Sequence, residues 1–130
     1  MLTQARVAHL ATASKDCKPS VVPICFVYSR SLIYSAIDEK PKTTANLRRL
    51  RNIAENPCVS FITDEYRENW QRLWYVILPG TATILLTGRE HRMAIQSLRK
   101  KYPQYRTMRL EERPIIRIKP TRTIAWRSHR

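Results

Sequence analysis

Glycine is nearly missing from this chain, with two residues in 130. That excludes the glycine-dependent phosphate loops, because neither a P-loop nor a Gly-x-Gly-x-x-Gly fingerprint is present. Sheet bends must then come mostly from the prolines and from bulges. Cys17, Cys25 and Cys58 are odd in number and widely spaced, which argues against a disulfide framework or a metal knuckle. Reduced thiols and a cytoplasmic location are expected. His9, His91 and His129 lack metal-ligand spacing, so no metal is expected. No apolar run is long enough to cross a bilayer and no secretory leader is visible, so a soluble protein without a membrane partner is expected. Carboxylates are few, ten Asp and Glu against 24 Lys and Arg. Most adjoin basic residues, which argues against a glycosidase-like pair. No Gly-x-Ser-x-Gly elbow occurs. The sequence therefore nominates no catalytic side chain, and a cofactor would have to carry any chemistry.

What is present is positive charge, +14 overall, on a chain that is 43% hydrophobic. The length suits one domain over residues 1–130, with 127–130 expected as a flexible tail. The charge favours an anionic partner: a nucleotide cofactor, nucleic acid or an acidic surface.

Strand patterns dominate. Residues 6–14, 20–28 and 32–37 read as three strands of an antiparallel meander, with Pro23 marking a bulge or a sheet edge. Residues 58–63 and 70–86 read as two more, the second bent at Pro79-Gly80, and 114–126 as a closing strand interrupted at Pro120. A helix is expected over 43–55, with Leu47, Leu50 and Ile53 or Ala54 on one stripe and Arg48, Arg49, Arg51 and Asn52 around the flanks and opposite face. A second is expected over 88–102, ended by Tyr102-Pro103 and carrying His91 packed on its apolar face. About six strands with two or three helices predict a mainly β fold, a small antiparallel barrel with helices at its ends.

The segment between the third strand and the first helix carries the clearest chemistry. Lys40, Lys42, Thr43 and Thr44 gather where a strand gives way to a helix N-terminus. Orphan N–H groups and the positive end of the dipole point there, so a phosphate-bearing ligand is expected.

The order and spacing of several segments resemble the pyridoxamine 5′-phosphate oxidase-like split β-barrel proteins, specifically the branch of coenzyme F420-dependent enzymes. The segments are Ala5–Thr12, Lys18–Ile24, Ile33–Ala36 followed by Lys40-Pro41-Lys42-Thr43-Thr44, Arg48–Ile53 with Asn56–Ser60, Arg72–Val76, Glu90-His91-Arg92, Lys101–Tyr105 and Pro120–Trp126. The resemblance implies a homodimer with cofactor sites at the subunit interface. It implies a ring of F420 or FMN lying along Val22, Pro23 and Ile24 near Ser35 and Ala36, and a phosphate held by Lys40, Lys42 and Thr43. Ser60 would sit near the site, Arg48 and Arg49 would meet a polyanionic tail, and Trp74 and Tyr75 would pack at the interface or wall the partner's pocket. Hydride transfer to or from a small organic substrate would follow. Oxidation of pyridoxamine phosphate itself is not expected, since its substrate residues have no counterparts. Cys17 stands at a turn position where such proteins usually carry glycine. Two other readings remain: a flavin or F420 carrier or sensor without turnover, and a basic nucleic-acid-binding barrel, which the scattered aromatics make the less favoured.

Overall fold

The computed structural model describes residues 1–37 and 44–128, with side chains from Arg48 onward in the second stretch. Among the described residues eight strands form one antiparallel sheet. They are β1 (Ala8–Ala13), β2 (Pro19–Ile24), β3 (Val27–Ser29), β4 (Leu32–Ala36), β5 (Cys58–Glu65), β6 (Trp74–Leu85), β7 (Ile115–Pro120) and β8 (Ile124–Arg127). The helices are α1 (Thr44–Glu55), between β4 and β5, and α2 (Arg89–Lys101), between β6 and β7. Hydrogen-bonded order runs β2-β1-β5-β6-β7-β4-β3, with β8 on β6. The fold is mainly β, a curled split barrel with helices, as the patterning predicts.

Period-two alternation closes the interior. Leu10 of β1, Val59 and Phe61 of β5, Val76 and Leu78 of β6 and Ile116 and Ile118 of β7 are buried in one cluster with Phe26 and Ile33. The Phe26 and Phe61 rings meet edge to face at 4.9 Å. Ile53 and Leu50 of α1 pack on this cluster, as the helical stripe predicts. A second cluster lies outside the barrel, where Ala94, Ile95 and Leu98 of α2 cover Tyr34 and Ala36. β4 therefore alternates between two cores, and Ile33 through Ala36 are all buried.

Several expectations need correction. The 20–28 run is two strands that do not pair with each other, so the first three runs are not a meander. β2 and β3 stand at opposite ends of the hydrogen-bonded order, joined through Cys25 and Phe26, and Pro23 lies in an edge strand. The 70–86 run begins as a 3-10 turn at Trp70–Arg72, and β6 then passes through Pro79-Gly80 without a break. The closing run is interrupted after Pro120, as expected, but its two parts pair with different halves of β6. β7 pairs with the second half of β6 (Gly80 opposite Pro120) and β8 with the first (Trp74 opposite Arg127). Asn52, expected on the flanks or solvent face of α1, is buried and donates from Nδ2 to Thr12 Oγ1 at 3.0 Å. A buried amide is tolerated because it is paired. Of the expected tail, Arg127 belongs to β8 and the Ser128 N–H bonds the Leu73 carbonyl at 2.9 Å.

Two turns use positive φ without glycine. Cys17 has φ 64°, and the β3–β4 turn holds Arg30 and Ser31 at 52° and 66°. Positive φ at both central residues is what a right-twisted two-residue hairpin requires.

Candidate functional site

Where β2 ends and β4 ends, the sheet leaves a cavity of about 210 Å³. Pro23, Ile24 and Cys25 line one side, Ala36 and Val7 border it, and Arg49 of α1 and Tyr105 also reach it. β2 is an edge strand, so its outer backbone groups lack a strand partner and can meet a ligand. Among the described residues the lining is narrow in its chemistry: apolar walls, a thiol, a phenol and one guanidinium. Such a lining suits a flat ring carrying electron-rich acceptor atoms.

The wall is held from behind by the end of α2. The Phe26 N–H donates to Tyr102 Oη at 3.1 Å, and that hydroxyl lies 3.1 Å from the Phe26 carbonyl and 2.9 Å from the Arg6 carbonyl. Lys101 Nζ donates to the same Phe26 carbonyl at 2.9 Å and sits 4.1 Å from the Phe26 ring centroid. Burial, helped by the nearby Arg6 charge, pushes the Lys101 ammonium down to about 8. Arg6 lies over the Tyr102 ring at 4.6 Å and donates to the Lys101 carbonyl at 3.0 Å. The Ser35 hydroxyl adds a bond to the Cys25 carbonyl at 2.8 Å. Cys25 and Phe26, which lack strand pairing, are thus fixed by side chains instead.

Of the residues expected at a cofactor site, Pro23, Ile24 and Ala36 come together on this cavity. Ser35 does not line it. Alternation along β4 turns it the other way, where it is buried and ties the strand to Cys25. Val22 packs on the interior cluster. Ser60 is half-buried on β5, opposite Ala11 and Pro79 and two strands away from β2. Arg48 is exposed on α1, and the neighbouring Arg49 is the arginine that reaches the cavity. Trp74 borders a separate cleft with Arg67, Arg72 and Arg127, while Tyr75 stacks on Trp126 with centroids 5.7 Å apart. Lys40, Lys42 and Thr43 lie outside the described residues.

Val7, Cys25 and Tyr105 are the lining residues that the sequence did not single out for the site, while Arg49, expected with Arg48 to meet an anionic tail, reaches the cavity itself. Arg49 had a signal: it stands four residues before the buried Ile53, so it borders the apolar stripe of α1. His91 is packed as expected, with Nε2 2.8 Å from the Arg113 carbonyl. Among the described residues no cluster of His, Cys, Asp or Glu could hold a metal ion, and no helix is long and apolar enough to cross a membrane.

Solved structures share this fold. A conserved hypothetical protein of Mycobacterium tuberculosis aligns over 96% of this chain and 79% of its own, with a TM-score of 0.78 and 21% identity. A FAD-binding protein of Mesorhizobium loti aligns over 95% and 87%, with a TM-score of 0.72 and 24% identity. An F420 reductase aligns over 95% and 92%, with a TM-score of 0.68 and 21% identity. No curated protein matches the chain. The pyridoxamine 5′-phosphate oxidase family model matches residues 1–127. A match of that extent, on a barrel split beside an apolar cavity with one arginine, means that the chain belongs to the pyridoxamine 5′-phosphate oxidase family.

Proposed function

We propose that this protein is a flavin- or deazaflavin-dependent oxidoreductase, with the ring of F420 or FMN seated on the cavity at Pro23, Ile24 and Ala36. The cavity carries the reading. It combines an unpaired strand edge, apolar walls and a guanidinium, and it lies at the end of β4, the strand that leads into the Lys40–Thr43 segment. At about 210 Å³ it is smaller than the ~300–1,000 Å³ of sites that enclose a small ligand. A ring bound there needs a second wall, which the partner of a homodimer would supply.

The bound cofactor would supply hydride transfer to or from a small organic substrate. The chain's residues would orient and shield. Pro23, Ile24 and Ala36 would fix the ring plane and exclude water, while Arg49 would stabilise negative charge gathering on the reduced ring. Lys40, Lys42 and Thr43 would hold the phosphate, and Arg48, exposed on the same helix, would meet a longer anionic tail. That tail tilts the choice towards F420.

The dimer reading draws on a separate surface. Tyr66, Trp70 and Trp126 are exposed aromatics, and the cleft bordered by Trp74 lies on the same elements. Exposed aromatic clusters of this kind mark interaction surfaces. Trp126→Glu is expected to shift the protein from dimer to monomer in sedimentation velocity, and a monomeric parent protein would remove this part of the proposal.

The direct test is a fluorescence titration with F420 and with FMN. One of them should bind at micromolar concentration, and Lys42→Ala and Arg49→Ala should each weaken it about tenfold, as loss of a charge-assisted contact does. Binding of neither cofactor would end the proposal. Full affinity in both variants would move the site elsewhere.

A further inference from the structure

We propose that a second cavity, between the β3–β4 hairpin and the N-terminal half of α2, binds an amphipathic carboxylate: one anionic head on a compact apolar body. The cavity measures about 550 Å³, within the ~300–1,000 Å³ typical of small-ligand sites. It shares no lining residue with the cavity at Pro23, so the inference stands whether or not a ring cofactor binds there.

Its charge is what defines the ligand. Arg30, at the tip of the hairpin, and Arg89, in the first turn of α2, both line it. Both are exposed, and among the described residues neither guanidinium makes a hydrogen bond or an ion pair. The one carboxylate in the lining is already engaged on both oxygens. Glu90 Oε2 accepts from the Tyr34 hydroxyl at 2.6 Å and Oε1 from Arg117 Nη1 at 2.8 Å. Arg117 thus offsets the Glu90 charge from behind. Burial first, and the bond to Glu90 second, push the Tyr34 phenol up to about 12, so it adds no negative charge near neutrality. The cavity is left with an excess of positive charge from two guanidiniums, whose planar forks match a carboxylate.

The floor is apolar. Leu32, the Tyr34 ring, Met93 and Ala94 supply it, and Met93 is 43% exposed, high for a large apolar side chain. A thioether can adjust to ligands of different shape. A small, fully hydrated anion would leave this floor uncovered, whereas an alkyl or aryl carboxylate uses both features. The hairpin also presents Arg30 from an unusual backbone. Its φ of 52° fixes the side chain's departure from the turn.

The test uses the full chain and sodium octanoate in isothermal titration calorimetry. Octanoate should bind at one site per chain with a dissociation constant of roughly 100 µM or tighter. Octanamide, which keeps the tail and loses the charge, should bind at least ~10-fold more weakly. The Arg30→Gln/Arg89→Gln double variant should lose about as much, and Ser97→Trp, which fills the cavity, should abolish binding. Both arginines are exposed, so the double variant should keep the fold and decide the matter even if Ser97→Trp does not fold. No saturation by ~2 mM octanoate would overturn the proposal. So would equal affinity for the amide, or unchanged binding in the folded variants.

Discussion

Gly80→Ala is expected to cost about 3 kcal/mol and to lower the melting temperature by about 10 °C, as overpacking of fixed backbone does. A Cβ on Gly80 would stand 2.5 Å from the Lys119 carbonyl oxygen and 3.0 Å from both Lys119 C and Pro120 Cα. All three are backbone atoms of β7, so no rotamer change relieves the clash and the β6–β7 ladder must part. Gly80 also pairs with Pro120, where β7 ends and the Thr121 N–H bonds the Pro79 carbonyl at 2.8 Å. The strain therefore lands where β6 hands its pairing from β7 to β8. Gly88→Ala is the comparison. Its φ of 106° is unfavourable for alanine but nothing lies within 4 Å of the added atom, so a smaller loss of about 1 kcal/mol is expected. Thermal melts followed by far-ultraviolet circular dichroism compare the two. Gly80 has no positive φ, so a loss there no larger than at Gly88 would show that β7 yields to the added methyl.

Tyr102→Phe is expected to destabilise the protein by about 2 kcal/mol, most of it from a donor left unpaired. The hydroxyl accepts from the Phe26 N–H and donates to one carbonyl at a time, that of Arg6 or of Phe26. Phenylalanine keeps the ring, its packing in the outer core and its place beneath Arg6. It leaves the Phe26 N–H with no replacement, since Phe26 has no exposed surface and lies outside every strand. The Phe26 carbonyl keeps Lys101. Chemical denaturation measures the loss. Hydrogen exchange at the Phe26 amide gives the local readout, where protection should fall further than in β5 or β6. A loss below about 0.5 kcal/mol, in the range of ordinary surface substitutions, would mean that water substitutes freely for the hydroxyl.

The sequence announces what repeats and conceals what depends on partners far along the chain. Alternation in β1, β5 and β6 and the helical stripes of α1 and α2 were legible, because each follows from a period within one segment. The 20–28 run looked like one strand because both halves are rich in β-branched and aromatic residues. What divides it is the remote Tyr102, which offers Phe26 the bonds a neighbouring strand would have given. Trp70–Arg72 were misjudged for the opposite reason. Asn69, a cap that accepts from the Gln71 N–H, competes locally with strand propensity there and wins. At the cavity, Pro23, Ile24 and Ala36 were legible through the family resemblance. Arg49 was legible only as a partner for an anionic tail, and its place on the cavity was not, because a helical arginine beside the apolar stripe reads equally well as a solvated residue.

The order of pairing also bears on synthesis. Ile33 of β4 pairs with Ile118 of β7, 85 positions later, and Leu10 of β1 with Phe61 of β5, 51 positions later. A nascent chain that has produced only its first hundred residues holds β4 with β3 alone as a ladder partner. Strand β4, destined for burial on both faces, thus stays an unfinished and sticky edge until β7 has been made. Closure waits for β7, the strand that joins β4 to β6.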